Sequence, residues 1–354
     1  MHAAPSAKSY RNGSTVGTGT VPRDCHKSLR GARGFPRDGM FEPGAFIEEQ
    51  VAAVRKAVGG GRAVIACSGG VDSTVAAVLA GRALGDRLLA VYVDTGLMRK
   101  GETEQVTGIL RDLGARSSVV RAADAFFAAL KGVTEPERKR EIIGSRFIEV
   151  FEREADGFDA QFLVQGTIAP DWIESGGALR DRIKAHHNVG GLPAVMRLTL
   201  VEPLRDLYKD EVRQLARALG VAVAERQPFP GPALAVRCMG EVTPEAVGVL
   251  REATAIAEEE IEAAAKAGTM ALPWQYFAVL LPQRSVGVHG DVRVYGETVA
   301  VRAVDSVDGM TASYSKIPHD VLERISTRIT NEVRGVNRVV YDVSNKPPAT
   351  IEWE

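Results

Sequence analysis

The chain has 354 residues, 45% of them hydrophobic and 25% charged, which is an ordinary globular composition. Its length exceeds the size at which one core stops growing, roughly 250–300 residues, so two domains are expected. With 44 basic and 45 acidic residues the formal net charge is −1, which argues against binding nucleic acid by bulk charge.

Residues 1–39 read as a basic extension. Lys8, Arg11, Arg23, Lys27, Arg30, Arg33 and Arg37 are set against only Asp24 and Asp38, a net of +5 that leaves −6 for the remainder. The segment has little apolar periodicity and many Gly, Ser and Thr, so it is expected to be disordered, with Met40 as the true start.

From Met40 the pattern becomes regular. Phe46, Ile47, Val51, Val54 and Val58 recur at helical spacing and stop at Gly59-Gly60-Gly61. A buried strand is expected over 63–67, a helix over 73–84, a strand over 88–94, a helix over 102–113 and a strand over 117–120. A helix over 137–154 with Pro136 in its first turn, a strand over 160–165 and a helix over 209–219 complete the series. Alternating strands and helices predict an α/β fold, a doubly wound parallel sheet with both faces covered. Ligands of such sheets sit at the carboxyl ends of the strands.

The pattern changes after Pro228-Phe229-Pro230-Gly231-Pro232. A helix over 244–267 starts from Thr243 as N-cap with Pro244 at N1. Strands follow at 276–281, 299–304, 336–342 and 349–353, with a helix near 321–333. The expected domains are therefore 40–232 and a smaller α+β domain, 233–354.

Cys25, Cys67 and Cys238 are dispersed and odd in number, which gives no disulfide framework and no zinc spacing. Cys67 and Cys238 read as inert core. The uncharged run over 268–283 is broken by Pro273 and Pro282 and is short of the ~20 apolar residues of a membrane span. No apolar signal region opens the chain. A soluble protein in a reducing compartment, the cytoplasm, is expected.

Ser68-Gly69-Gly70-Val71-Asp72-Ser73 lies between the first strand and its helix. Paired glycines let backbone approach an anion, and the helix start offers free N–H groups and a positive dipole end. Asp72 does not suit a bare phosphate, so a bridging Mg²⁺ is expected there. No Lys follows in the Walker pattern, which excludes a P-loop kinase or GTPase site. Asp171 and Glu174, three apart after a strand, can bind Mg²⁺ or handle protons. Residues 176–191, with Lys184, His186 and His187, are rich in charges and glycine and read as a lid. Adjacent histidines make poor metal-pair geometry, so a zinc site is rejected; they can instead donate to phosphates or shuttle a proton. The run Glu258-Glu259-Glu260 reads as a solvated helix face.

The loop resembles that of the PP-loop ATP pyrophosphatases, of the adenine nucleotide alpha hydrolase-like fold. Val93-Asp94-Thr95-Gly96-Leu97-Met98-Arg99 narrows the choice, as do the run from Gln165 through Gly166, Thr167 and Asp171 to Ser175, and Ile183–Gly191. Val201-Glu202-Pro203-Leu204, the Pro-rich run and the tail Lys346-Pro347-Pro348-Ala349-Thr350-Ile351-Glu352-Trp353-Glu354 complete it. Together they resemble the ATP-pyrophosphatase part of the GMP synthetases, from about Met40 onward. The family's usual Gly is Ala233 here, and its usual His is Gln227.

That resemblance implies ATP-dependent amination of XMP to GMP through an adenylyl-XMP, with AMP and pyrophosphate released. It implies ATP binding by Ser68, Gly69, Gly70, Val71, Asp72, Ser73, Thr74, Val93, Gly166 and Thr167. It implies catalytic roles for Asp72, Asp171, Lys184 and His186, with Mg²⁺ on Asp72 and Asp171. For XMP it implies Arg99, Glu174, Arg284, Lys346, Ile351 and Glu352. The second domain is expected to form a homodimer, with 270–281 or 336–341 near the interface. Ammonia is expected from a separate glutamine amidotransferase subunit. Alternatives sharing the loop are an ammonia-dependent NAD synthetase, a tRNA-modifying enzyme and a non-catalytic nucleotide-binding homologue.

Overall fold

A computed structural model describes residues 41–112, 115–169, 198–221, 227–307 and 309–354. The basic extension, the whole of the expected lid and the residues Asp171, Glu174, Lys184 and His186 lie outside these.

Five parallel strands form the first sheet: β1 Ala63–Ala66, β2 Leu88–Asp94, β3 Arg116–Arg121, β4 Phe162–Val164 and β5 Thr199–Val201, in the order β3-β2-β1-β4-β5. The helices with them are α1 Pro43–Val58, α2 Val71–Leu84, α3 Glu102–Asp112, α4 Ala123–Leu130, α5 Pro136–Gly157 and α6 Lys209–Ala218. The order reverses at β1, whose neighbours are β2 on one side and β4 on the other. That reversal opens the crevice in which such sheets bind ligands, and the loops after β1 and β4 flank it. The doubly wound parallel sheet expected from the sequence is therefore present.

β1 is continuous apolar sequence because both of its faces are covered. α1 and α2 pack together, with Phe46, Val54, Val75 and Leu79 buried. On the other side α4 and α5 bring Phe126, Leu130, Ile143 and Phe151 to a core that includes Val64, Val91 and Val93. The same core runs on to Leu234, Leu250 and Leu280 of the second half without a break.

A 3₁₀ turn, Ala233–Arg237, leads to α7, Pro244–Lys266. Thr243 caps α7 by accepting from the Ala246 N–H at 3.1 Å, worth about 1 kcal/mol. The second sheet centres on β7, Val292–Asp305, paired antiparallel with β6, Gln275–His289, and with β8, Ser313–Tyr314, and parallel with β9, Val336–Asp342. α7 packs against β6, and α8, His319–Glu332, against β9 and α7.

Several expectations need correction. β6 and β7 run well beyond the apolar stretches at 276–281 and 299–304, with a bulge between Leu281 and Arg284. Their outer halves are exposed, so hairpin pairing holds them without an apolar pattern to announce them. Residues 349–353 are not a strand. The Thr350 and Ile351 carbonyls accept from the guanidinium of buried Arg302, at 3.0 and 3.3 Å, rather than from a neighbouring strand. α4, β5, β8 and the 3₁₀ turn are short elements that sequence periodicity did not resolve.

Candidate active site

β1 ends at Ala66, and Gly70 is the N-cap of α2. Gly70 has no side chain, so the first-turn N–H groups of α2, at the positive end of the helix, take no side-chain cap. Gly69 sits at φ 78°, a conformation that favours glycine. Ser68 Oγ lies 3.1 Å from Ser73 Oγ and accepts from the Gly70 N–H at 3.4 Å. Thr74, expected among the ATP donors, is buried, and its hydroxyl donates to the Gly70 carbonyl at 2.8 Å. It braces the loop from behind, as the buried Val71 side chain does.

Asp72 is the feature with open chemistry. Its Oδ2 accepts from Lys209 Nζ at 2.6 Å, and its Oδ1 is buried with no hydrogen-bond partner among the described residues. Lys209 opens α6 and was not singled out from the sequence. A lysine in the first turn of a helix opposes the dipole, and that misfit was the signal. Gly166 follows β4 and presses on the loop. A Cβ there would stand 2.8 Å from the Asp72 carbonyl carbon and oxygen and 2.9 Å from the Ser73 nitrogen. The hydroxyl of the neighbouring Thr167 is also buried without a partner among the described residues. Cys67, beside the loop, is buried and its thiol is pushed up to about 12, so it offers no nucleophile. The described residues contain no group of three His, Cys, Asp or Glu able to hold a metal alone.

The loop after β2 joins this site to the second half. Val93, at the end of β2, is buried. Gly96 turns at φ 75°, and its carbonyl and that of Met98 accept from Arg251 of α7, at 2.6 and 2.8 Å. The Arg99 guanidinium pairs with Glu258 of α7 at 3.3 Å and lies over the Phe229 ring, 4.7 Å from its centroid. Arg237 lies on the same ring at 5.2 Å. The Phe of the Pro-rich run thus meets two cations.

Glu258 is not the solvated residue expected. It also accepts from Gln227 at 2.7 Å, and burial raises its carboxyl above the usual range against the pull of Arg99. Glu260 meets Arg324 and Arg328; Glu259 is the exposed member of the run. The Gln227 side-chain oxygen also accepts from the Tyr276 N–H at 3.0 Å. Ala233 holds φ 56°, a left-handed conformation that favours glycine.

The tail is held by buried cations. Arg237, 1% exposed, stacks 3.8 Å over Phe277 and donates to both Glu352 oxygens at 3.0 and 2.8 Å. Gln275 donates to the same carboxylate at 3.0 Å. Ile351 is buried beside Phe277 and Val279. Lys346 Nζ donates to the Gly309 carbonyl at 2.8 Å, and the Trp353 indole N–H to Asp342 at 3.0 Å. Arg284 stands apart, past the β6 bulge, bonded to Tyr295 and Glu297 of its own hairpin.

Two family profiles match the chain: NAD synthase over residues 44–145 and GMP synthase C terminal domain over residues 261–353. One subunit of the glutamine-hydrolyzing GMP synthase of Thermococcus kodakarensis is 61% identical over 312 residues, covering 87% of this chain and 99% of that subunit. The corresponding subunit from Methanopyrus kandleri is 56% identical over 318 residues, covering 89% of this chain and all of that one. A glutamine-hydrolyzing GMP synthase of Geobacillus kaustophilus is 56% identical over 313 residues, which make up 61% of its length. Identity of 61% runs across almost the whole of a separate synthase subunit, and the sheet's crevice carries the Ser68–Ser73 loop, so the chain belongs to the family of these GMP synthase subunits, ligases that form a carbon–nitrogen bond.

Proposed function

We propose that this chain aminates XMP at C2: XMP + ATP + NH₃ → GMP + AMP + pyrophosphate. The observation that carries the reading is Asp72, with one oxygen paired to Lys209 and the other buried and, among the described residues, unpartnered at a helix start. A buried polar atom is rarely left unpaired, and a carboxylate oxygen in that state fits a divalent cation arriving with ATP. Asp72 and Asp171 hold Mg²⁺ in this reading, and the ion supplies neutralisation of the polyphosphate charge.

Backbone N–H groups at Gly69 and Gly70 and the Ser68 and Ser73 hydroxyls hold the pyrophosphate end of ATP. The 2-oxo oxygen of XMP attacks the α-phosphorus and pyrophosphate leaves. Ammonia then adds at C2 of the adenylyl-XMP, and AMP departs with the transferred oxygen. Arg99, Lys346 and Glu352 orient XMP, Lys346 as a cation for its phosphate and Glu352 as an acceptor for a purine N–H. Lys184 and His186 serve the polyphosphate and the proton of ammonia from the lid. NAD synthesis rests on the 44–145 match alone, a region the two families share in this reading.

Residues 40–232 act as the ATP-pyrophosphatase domain and 233–354 as the XMP-binding and dimerisation domain. Tyr276–Leu280 lies buried inside the chain, so the exposed apolar Val286, Val288 and Tyr295 of the outer hairpin are the better surface for a second copy. A separate cytoplasmic glutamine amidotransferase subunit supplies the ammonia. The test is isotopic: XMP carrying heavy oxygen at its 2-oxo position must deliver that oxygen to AMP. Label in pyrophosphate, or absent from AMP, overturns the adenylyl intermediate.

A further inference from the structure

Lys139 on α5 is 0% exposed, although it lies on a helix of the nucleotide-binding half. Its ammonium donates to the Cys238 carbonyl at 2.8 Å and to the Glu354 side-chain carboxylate, itself 3% exposed. Next to it Arg140 donates to the Glu354 backbone oxygen. We propose that Lys139 is a positioning residue for the XMP half of the site: it grips Glu354 and so fixes the tail carrying Lys346 and Glu352 against the nucleotide-binding half. This rests on reading that tail as the XMP site.

Burying a lysine and a glutamate strips both of water, and a well-packed apolar pair of similar volume is often as stable. Stability is therefore a weak account of the pair, and fixed geometry is the stronger one. The last three residues are pinned in turn. Glu352 meets Arg237 and Gln275, and Trp353 meets Asp342, all in the second half. Glu354 crosses to α5, 215 residues away in sequence. The same ammonium ties down Cys238, which bridges to Leu280 of β6. Lys139 thus joins α5, the start of the second half and the tail at one point. A change in its grip moves Glu352, two residues from Glu354, relative to the ATP loop. Adenylation needs the 2-oxo oxygen in line with the α-phosphorus, and small misplacements there are costly.

The test uses the full chain with Lys139→Met/Glu354→Leu, which removes both charges without orphaning either. Lys139→Met alone leaves a buried carboxylate and is the variant most prone to misfold. The double variant should melt near the wild-type temperature. Hydrogen exchange of residues 344–354, measured without substrate, should quicken by at least tenfold. The XMP KM should rise at least tenfold while the ATP KM stays within about twofold. Unchanged exchange overturns the anchoring, and quickened exchange with an unchanged XMP KM overturns the positioning role. A wild-type chain that makes no GMP refutes the functional reading instead, and the exchange measurement still decides the anchoring.

Discussion

Gly166→Ala isolates the contact that builds the nucleotide crevice. The added methyl would stand 2.8–2.9 Å from backbone atoms of Asp72 and Ser73, which cannot swing aside as a flexible side chain can. Either α2 or the loop after β4 must move. Overpacking of this kind costs about 1–3 kcal/mol, and a domain of this size loses about 2–4 °C per kcal/mol, so the melting temperature should fall by roughly 2–12 °C. Moving first-turn donors off a developing charge costs about tenfold in rate per 1.4 kcal/mol. XMP-dependent pyrophosphate release, followed by a coupled assay, should therefore drop about ten- to a hundredfold. Gly144→Ala in α5, where a Cβ meets nothing within 4 Å, should instead stabilise by about 0.5–1 kcal/mol. Wild-type melting and turnover for Gly166→Ala would refute the argument that the two loops are in contact.

Asp72→Asn should cut turnover by orders of magnitude while the melting temperature barely moves, because its pair with Lys209 is partly exposed and worth at most about 1 kcal/mol; near-normal rates at low Mg²⁺ would contradict the metal role. Lys346→Ala should weaken XMP binding about ten- to a hundredfold, the loss of one charge-assisted hydrogen bond of about 1.5–3 kcal/mol, with ATP kinetics unchanged; equal damage to both substrates would argue that the tail is not the XMP site. Glu352→Gln is a cleaner partner experiment than Glu352→Ala, which would leave Arg237 buried and unpaired at a cost of about 3–5 kcal/mol. Ala233→Gly should stabilise by about 0.5–1 kcal/mol by relieving the left-handed backbone, read as a higher urea midpoint. Burial raises the Glu258 carboxyl, so its neutral form favours folding below the ordinary carboxylate value and that contribution is lost as pH rises through the raised one. The melting-temperature difference between Glu258→Gln and wild type should therefore shift in favour of the variant from acid to neutral pH, and a difference that does not move with pH would refute it.

The nucleotide half was legible because strand and helix periods alternate there and each chemical loop follows a strand. β2 and β9 fall where the apolar runs place them, at Leu88–Asp94 and Val336–Asp342. The second half was less legible because charge, not apolar period, fixes its working parts. Arg237 sits in the apolar run Leu234-Ala235-Val236-Arg237-Cys238-Met239, and Arg302 in Val299-Ala300-Val301-Arg302-Ala303-Val304. A cation inside such a run marks a buried partner, but sequence does not say which carboxylate or carbonyl it meets. Here the partners lie 115 residues away for Arg237 and 48 residues away at Thr350 for Arg302. The tail reads as a strand from Ile351 and Trp353, yet Arg302 takes the carbonyls a strand would need. Glu258 shows the same limit: three consecutive glutamates look solvated until α7 is set against Arg99.

In the proposed reaction this chain transfers AMP to XMP and takes nitrogen directly from ammonia. Product analysis of the purified chain with ATP, Mg²⁺, XMP and ammonium decides it. GMP, AMP and pyrophosphate should appear in equal amounts, and glutamine in place of ammonium should give none of the three. ADP as the stoichiometric product, or GMP formed from glutamine in a preparation free of other proteins, would contradict it.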